Sequence, residues 1–308
     1  MPTEDMIFRL NWKILLHWLG SALGFTGVFF VGLRLYEYWN GIDHSRFDTA
    51  TWSFVLVLAF VYGASGLFLA SAWKSILKHL GVPTSFIWSA KVYGVSQLGK
   101  YLPGNIFHFA GRQALGMSAN ISAVTLVRSS VWELGLICTA GATFSILVIP
   151  IYINDLTNIY FAIFWLAAVG GSAFFLGIKW DREIRNAFLL QIIFLGISGF
   201  VFTILLGVFS DATFIRNSGV LVFIGAYVVA WLAGLATPGA PAGMGVREMV
   251  LIFLLGRSVP ESELLPVVIL SRFVTVAGDA LFFSVMTGLL KYPTRHYSIL
   301  NSSDNERN

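Results

Sequence analysis

The chain has 308 residues, 56% of them hydrophobic and only 12% charged, with a mean hydropathy of +0.76. Soluble domains carry about 25% charged residues, so water is not the only solvent of this chain. The net charge of +4 is mild, and no basic stripe or zinc-ligand spacing points to nucleic acid. The single cysteine, Cys138, lies in an apolar run and can form neither an internal disulfide nor a cysteine-rich metal site.

About 20 apolar residues span the hydrocarbon core as a helix. Such runs occur in chain order at residues 14–33, 54–73, 124–149, 160–178, 188–209 and 267–290. The first is too long for a signal-peptide core and no small-residue cleavage site follows it, so it reads as a helix. The run 124–149 contains Arg128 and Glu133, and the run 267–290 contains Arg272 and Asp279.

Two further apolar stretches are broken. Residues 86–117 are interrupted by Lys100-Tyr101-Leu102-Pro103-Gly104-Asn105, and residues 220–255 by Thr237-Pro238-Gly239-Ala240-Pro241-Ala242-Gly243. Proline removes a backbone donor and glycine loosens the chain, so neither stretch is one continuous helix. Irregular backbone at membrane depth must be buried in protein or line a wet cavity. Both stretches read as re-entrant hairpins of two short helices; the alternative is two ordinary helices joined by a surface loop. The expected fold is an all-α polytopic membrane protein, with about six transmembrane helices and two re-entrant broken helical hairpins. One transmembrane bundle covers residues 1–291, and a polar, disordered cytoplasmic tail covers 292–308.

With the N-terminus cytoplasmic and both hairpins returning to their side of entry, the bases distribute unevenly. Arg9, Lys13, Lys74, Lys78, Lys91, Lys179, Arg182, Arg185, Lys291, Arg295 and Arg307 lie inside, against Arg34, Arg46, Arg216 and Arg257 outside. That is the positive-inside pattern of a cytoplasmic-membrane protein with both termini in the cytoplasm. The remaining bases, Lys100, Arg112, Arg128, Arg247 and Arg272, fall in or beside the hairpins and the helix after each.

The broken stretches resemble two copies of one unit, about residues 86–149 and 220–290. Pro103-Gly104 and Pro238-Gly239 are each followed, after seven intervening residues, by an arginine, Arg112 and Arg247. Each unit then runs into a helix with an arginine and a later acid, Arg128 with Glu133 and Arg272 with Asp279. Three spans separate the units, so they enter from opposite faces as an inverted repeat, an arrangement that in transporters places the substrate near the midplane.

A charge in a transmembrane segment costs at least about 2.5–3.5 kcal/mol. The five bases with Glu133, Glu248 and Asp279 are therefore expected to face the bundle interior, either as structural ion pairs or around a substrate. Arginine at four of the five basic positions favours an anion, since its planar fork matches phosphate or carboxylate. His17 and His108 read as packed side chains with no second histidine at metal spacing. Most tryptophans and tyrosines read as interfacial belts. No metal or cofactor is expected.

The segment from Tyr101-Leu102-Pro103-Gly104 through Arg112, Arg128 and Glu133 resembles one signature of the lysylphosphatidylglycerol synthase transmembrane-region family. The segment from Pro238-Gly239 through Gly243-Met244-Gly245-Val246-Arg247-Glu248, Arg272 and Asp279 resembles a second. The first departs from the family at Asn105-Ile106-Phe107-His108, where relatives carry a smaller, glycine-containing turn. The resemblance implies a flippase-like bundle without the soluble aminoacyl-transferase domain of some relatives, so synthase activity is not implied.

The reading of function is a non-enzymatic translocator of an anionic lipid or lipid-linked glycan. Its partners are then membrane lipids with a phosphate-bearing head group. Arg112, Arg247, Arg128, Arg272, Glu133, Asp279, Glu248 and Lys100 are the candidate substrate-binding residues. Pro103, Gly104, Pro238 and Gly239 are the hairpin breaks. One alternative is a non-transporting membrane partner of a glycosyltransferase or lipid-modifying synthase. The other is an enzyme acting on a polyprenyl-phosphate sugar, with Asp43, Asp48, Asp211, Glu261 or Glu263 as an external acid.

Overall fold

The computed structural model describes residues 48–102, 106–153, 158–209, 219–237 and 239–288. The expected span 14–33, the tail 292–308, His17, Asp43, Asp211, Pro103, Gly104 and Pro238 lie outside the described residues. The helices within them are α1 (Thr49–His79), α2 (Phe86–Gln97), α3 (Phe107–Ser118), α4 (Ala123–Thr143), α5 (Asn158–Lys179), α6 (Arg182–Phe209), α7 (Val220–Ala236), α8 (Val246–Leu255) and α9 (Glu261–Gly288). Five stretches, Thr49–His79, Ala123–Ile151, Ile159–Lys179, Arg182–Phe209 and Glu261–Gly288, are long and apolar enough to cross a membrane. The chain is a polytopic all-α membrane protein.

The helices outrun their apolar cores because polar residues cap them beyond the hydrocarbon. Asp48, a candidate external acid in the sequence, is the N-cap of α1 and accepts from the Thr51 N–H at 2.8 Å. The 31 residues of α1 reach about 46 Å, against roughly 30 Å of hydrocarbon. It ends where Gly81 takes φ +81°, with the Gly81 N–H bonded to the Lys78 carbonyl and the Val82 N–H to that of Leu77. Beyond this end, Lys78 pairs with Glu183 at 2.6 Å, and His79 Nδ1 lies 2.5 Å from Asp181 Oδ2. Partial burial raises the Asp181 carboxyl, but His79 and the Ile184 N–H outweigh it and hold the group below its usual range. These contacts join the C-terminal end of α1 to the α5–α6 turn.

The stretch 124–149 is not α-helical throughout. After Thr143 the chain tightens into 3-10 geometry over Phe144–Ile151, where Pro150 lacks a donor. α7 leans on this turn through Gly225, where a Cβ would lie 2.9 Å from the Phe144 carbonyl oxygen.

Both broken stretches are helix–break–helix pairs, with α2 packed on α3 and α7 on α8. Their breaks, Leu98–Tyr101 and Pro241–Gly243, touch each other. α9 passes α2 and packs along α1 at backbone contact: a Cβ on Gly63 would sit 2.5 Å from the Gly278 carbonyl oxygen. Without a hydrophobic drive between helices in lipid, such small-residue contacts carry the packing. They also fix the position of Asp279, the next residue.

Candidate functional site

The charged residues gather where the breaks meet. On α3, Arg112 Nη1 donates to Glu133 Oε2 of α4 at 2.5 Å, and the Tyr93 hydroxyl of α2 donates to Oε1 at 2.8 Å. The guanidinium is enclosed by aromatic rings, 4.4 Å from the Tyr93 centroid and 4.9 Å from that of Phe109. Both charges are buried and paired with each other, and Arg112 Nη2 is left without a hydrogen bond.

A second cluster joins the first break to α9. Asp279 takes Lys100 Nζ at 2.7 Å and the Tyr101 hydroxyl at 2.5 Å on Oδ2, and Gln97 Nε2 at 3.2 Å on Oδ1. These bonds link the first broken stretch to α9. A third cluster holds the second break. Arg272 Nε donates to Glu248 Oε1, and its Nη2 donates to the Ala242 carbonyl at 3.0 Å. Glu248 Oε2 accepts from the Gly245 N–H at 2.6 Å.

The second break owes its shape to left-handed backbone at Gly239, Ala242, Gly243 and Gly245. At Gly243 a Cβ would lie 2.5 Å from the Gly234 Cα, so the break folds directly onto α7. α8 then starts at Val246, which puts Arg247 in its first turn. First-turn N–H groups have no carbonyl partner within their own helix, and the helix dipole is positive there.

Arg247 differs from Lys100, Arg112 and Arg272, each of which is paired with a carboxylate. It is 4% exposed, has no carboxylate within 4 Å among the described residues and, like Arg112, leaves Nη2 without a hydrogen bond. The Tyr227 ring lies against it, 4.2 Å from centroid to guanidinium carbon. It borders a cavity of about 80 Å³ lined also by Tyr62, Tyr93, Gln97, Lys100, Tyr101, His108, Glu133, Trp231, Arg272 and Thr275. At about 10–15 Å³ per water, that holds roughly half a dozen waters. His108 contributes another unpartnered polar atom, Nδ1. The arrangement can bind an anion; it presents no metal-ligand group among the described residues.

Of the expected site residues, Lys100, Glu133, Arg247 and Arg272 line the cavity. Arg112, Asp279 and Glu248 are the ion-pair partners of Glu133, Lys100 and Arg272. Arg128 does not face the bundle interior. It is exposed on the second turn of α4, where a long side chain can reach the interface. Gly239 supplies the positive φ expected of a break. The equal spacing from Pro-Gly does not make Arg112 and Arg247 equivalent: Arg112 falls in the second turn of α3, because α3 starts at Phe107, soon after Gly104, whereas α8 starts only at Val246, well after Gly239. Its guanidinium is also tied to Glu133, so of the two arginines Arg247 alone lies in the first turn of a helix and is free of a carboxylate among the described residues.

The sequence reading missed the uncharged polar partners. Tyr93, Gln97 and Tyr101 recur every fourth residue, which is one helix face, and Gln97 in an apolar stretch was the signal. Tyr62, Tyr93 and Tyr227 are buried in the bundle and do not form an interfacial belt. No protein-family model and no curated protein sequence matches the chain.

Proposed function

We propose that the chain is a flippase-like translocator that binds the anionic head group of a membrane lipid at Arg247 and carries it between leaflets. The observation behind this reading is a buried guanidinium with no carboxylate within 4 Å among the described residues, bordering a polar cavity where two broken helix pairs meet. Leaving such a charge unpaired is costly, and an incoming phosphate oxygen removes that cost. The α7–α8 pair starts beyond the end of α6 remote from the His79–Asp181 contact, whereas α2 starts just after His79. Re-entrant hairpins entering from opposite faces, as an inverted repeat in the cytoplasmic membrane with both termini inside, fit that path. The resemblance to the lysylphosphatidylglycerol synthase transmembrane-region family supports the same reading.

The test is movement of a fluorescent anionic phospholipid in vesicles containing the purified chain, followed by chemical quenching of the outer leaflet. The parent moves the lipid, Arg247→Lys is impaired because it loses the fork, and Arg247→Ala more so. Equal movement by Arg247→Ala and the parent removes Arg247 from the site. A non-transporting partner of a glycosyltransferase or synthase is the second reading. The three paired cations favour it, since they serve as scaffold. Under it, the parent itself moves no lipid.

A further inference from the structure

The charges around the cavity do not cancel. Lys100, Arg112 and Arg272 are each paired, with Asp279, Glu133 and Glu248 respectively. Among the described residues Arg247 remains as one positive charge without a counter-charge. The other titratable side chains on the cavity do not alter this. His108 is buried with no carboxylate partner, which favours the neutral ring. The phenols of Tyr62, Tyr93 and Tyr101 are neutral at physiological pH. Arg128 is exposed and off the cavity.

We infer that the site is matched to a single negative charge, the phosphodiester of a phospholipid, and discriminates against diphosphate-linked lipids. The inference rests on the head-group reading above and decides between the two substrate classes it leaves open. A phosphodiester neutralises the surplus and leaves nothing over. A diphosphate leaves at least one negative charge in a site whose every other cation is already bonded to a carboxylate, and buried uncompensated charge is strongly disfavoured.

The charge count also predicts how to change the preference. Neutralising one carboxylate of the set raises the surplus from one to two. Glu133→Gln does this with almost no change in shape, and Asp279→Asn takes the same step if Glu133→Gln fails to fold.

The experiment measures the unfolding midpoint of the purified full chain in detergent as lipid is added, since a ligand of the native state raises it by mass action. The probes are phosphatidylglycerol, with one charge, phosphatidic acid, with nearly two, and a polyprenyl diphosphate. Dimethyl phosphate serves as a soluble phosphodiester. Phosphatidylglycerol is expected to bind the parent at least about tenfold more tightly than the diphosphate. Arg247→Gln is expected to lose about ten- to a hundredfold of that affinity. Glu133→Gln or Asp279→Asn is expected to prefer phosphatidic acid. A parent that prefers the diphosphate, or carboxylate variants that keep the parental order, overturn the charge match while leaving a head-group site at Arg247. If dimethyl phosphate binds as well as phosphatidylglycerol, the ligand is a soluble anion and the lipid assignment falls. If no anionic lipid shifts the parent, both this inference and the proposed function fall.

Discussion

Replacing Arg247 by methionine separates a binding residue from a scaffolding one, because the two roles predict opposite signs in stability. An ion held in a protein interior without a partner costs several kcal/mol after relaxation. The Tyr227 ring at 4.2 Å returns about 2 kcal/mol of that when water is excluded. Methionine fills most of the arginine stem's volume and needs no counter-charge, and no carboxylate loses a partner. The apo protein should therefore become more stable by about 1–3 kcal/mol, while binding of an anionic lipid is lost. The control is Arg112→Met. There the substitution strands Glu133, 5% exposed, and should cost about 3–5 kcal/mol. Both variants can be compared with the parent by equilibrium unfolding in mixed micelles of mild and denaturing detergent. A loss in Arg247→Met as large as that in Arg112→Met would show that Arg247 holds the fold together, and the binding argument would fail with it.

The crossing helices were legible because hydropathy over about 20 residues reports a solvent and needs no knowledge of partners. The charged residues in the broken stretches were legible for the same reason: each is expensive there and needs an explanation. Facing direction was partly legible and was missed. At about 100° per residue, Arg128 and Glu133 project about 140° apart, so an inward Glu133 puts Arg128 on the outside. Which charge pairs with which was not legible. The Tyr101–Asp279 bond joins residues 178 apart in sequence, and nothing in either segment names the other. The equal Pro-Gly-to-arginine spacing misled because it counts residues, whereas the position of an arginine on a helix depends on where the break ends. Four positive-φ residues, Gly239, Ala242, Gly243 and Gly245, delay α8 until Val246, while α3 starts at Phe107, much sooner after its Pro-Gly.

Three further outcomes follow from the packing and the ends of the bundle. A Cβ at Gly278 would lie 2.6 Å from the Ala59 carbonyl oxygen, so Gly278→Ala should cost about 1–3 kcal/mol in the same unfolding assay. Gly288→Ala, which meets nothing within 4 Å, should cost nothing, and equal effects would refute the close α1–α9 contact. The Asp181 carboxyl is held below its usual range, so its contribution to stability is present above the unfolded value of about 3.9 and is lost as pH falls through the lower folded value. Asp181→Asn should flatten the acid limb of the unfolding midpoint, and an unchanged limb would show that the His79 contact carries no stability. The last outcome concerns sidedness, tested with single cysteines at Arg182 and Arg257 in a Cys138→Ala background. Both positions are exposed. The His79–Asp181 and Lys78–Glu183 contacts fix one end of the bundle near Arg182, and the 28 residues of α6 carry the chain about 42 Å from it. Neither α7, at 17 residues, nor α8, at 10, matches that length, and the break between them folds back onto α7 at Gly234. The pair should therefore return the chain to the side from which it entered. An impermeant thiol reagent should label position 182 only from the cytoplasm and position 257 only from outside. Labelling of position 257 from the cytoplasm alone would mean that α7 and α8 together cross the membrane, and the paired-hairpin geometry behind the head-group pathway would be wrong.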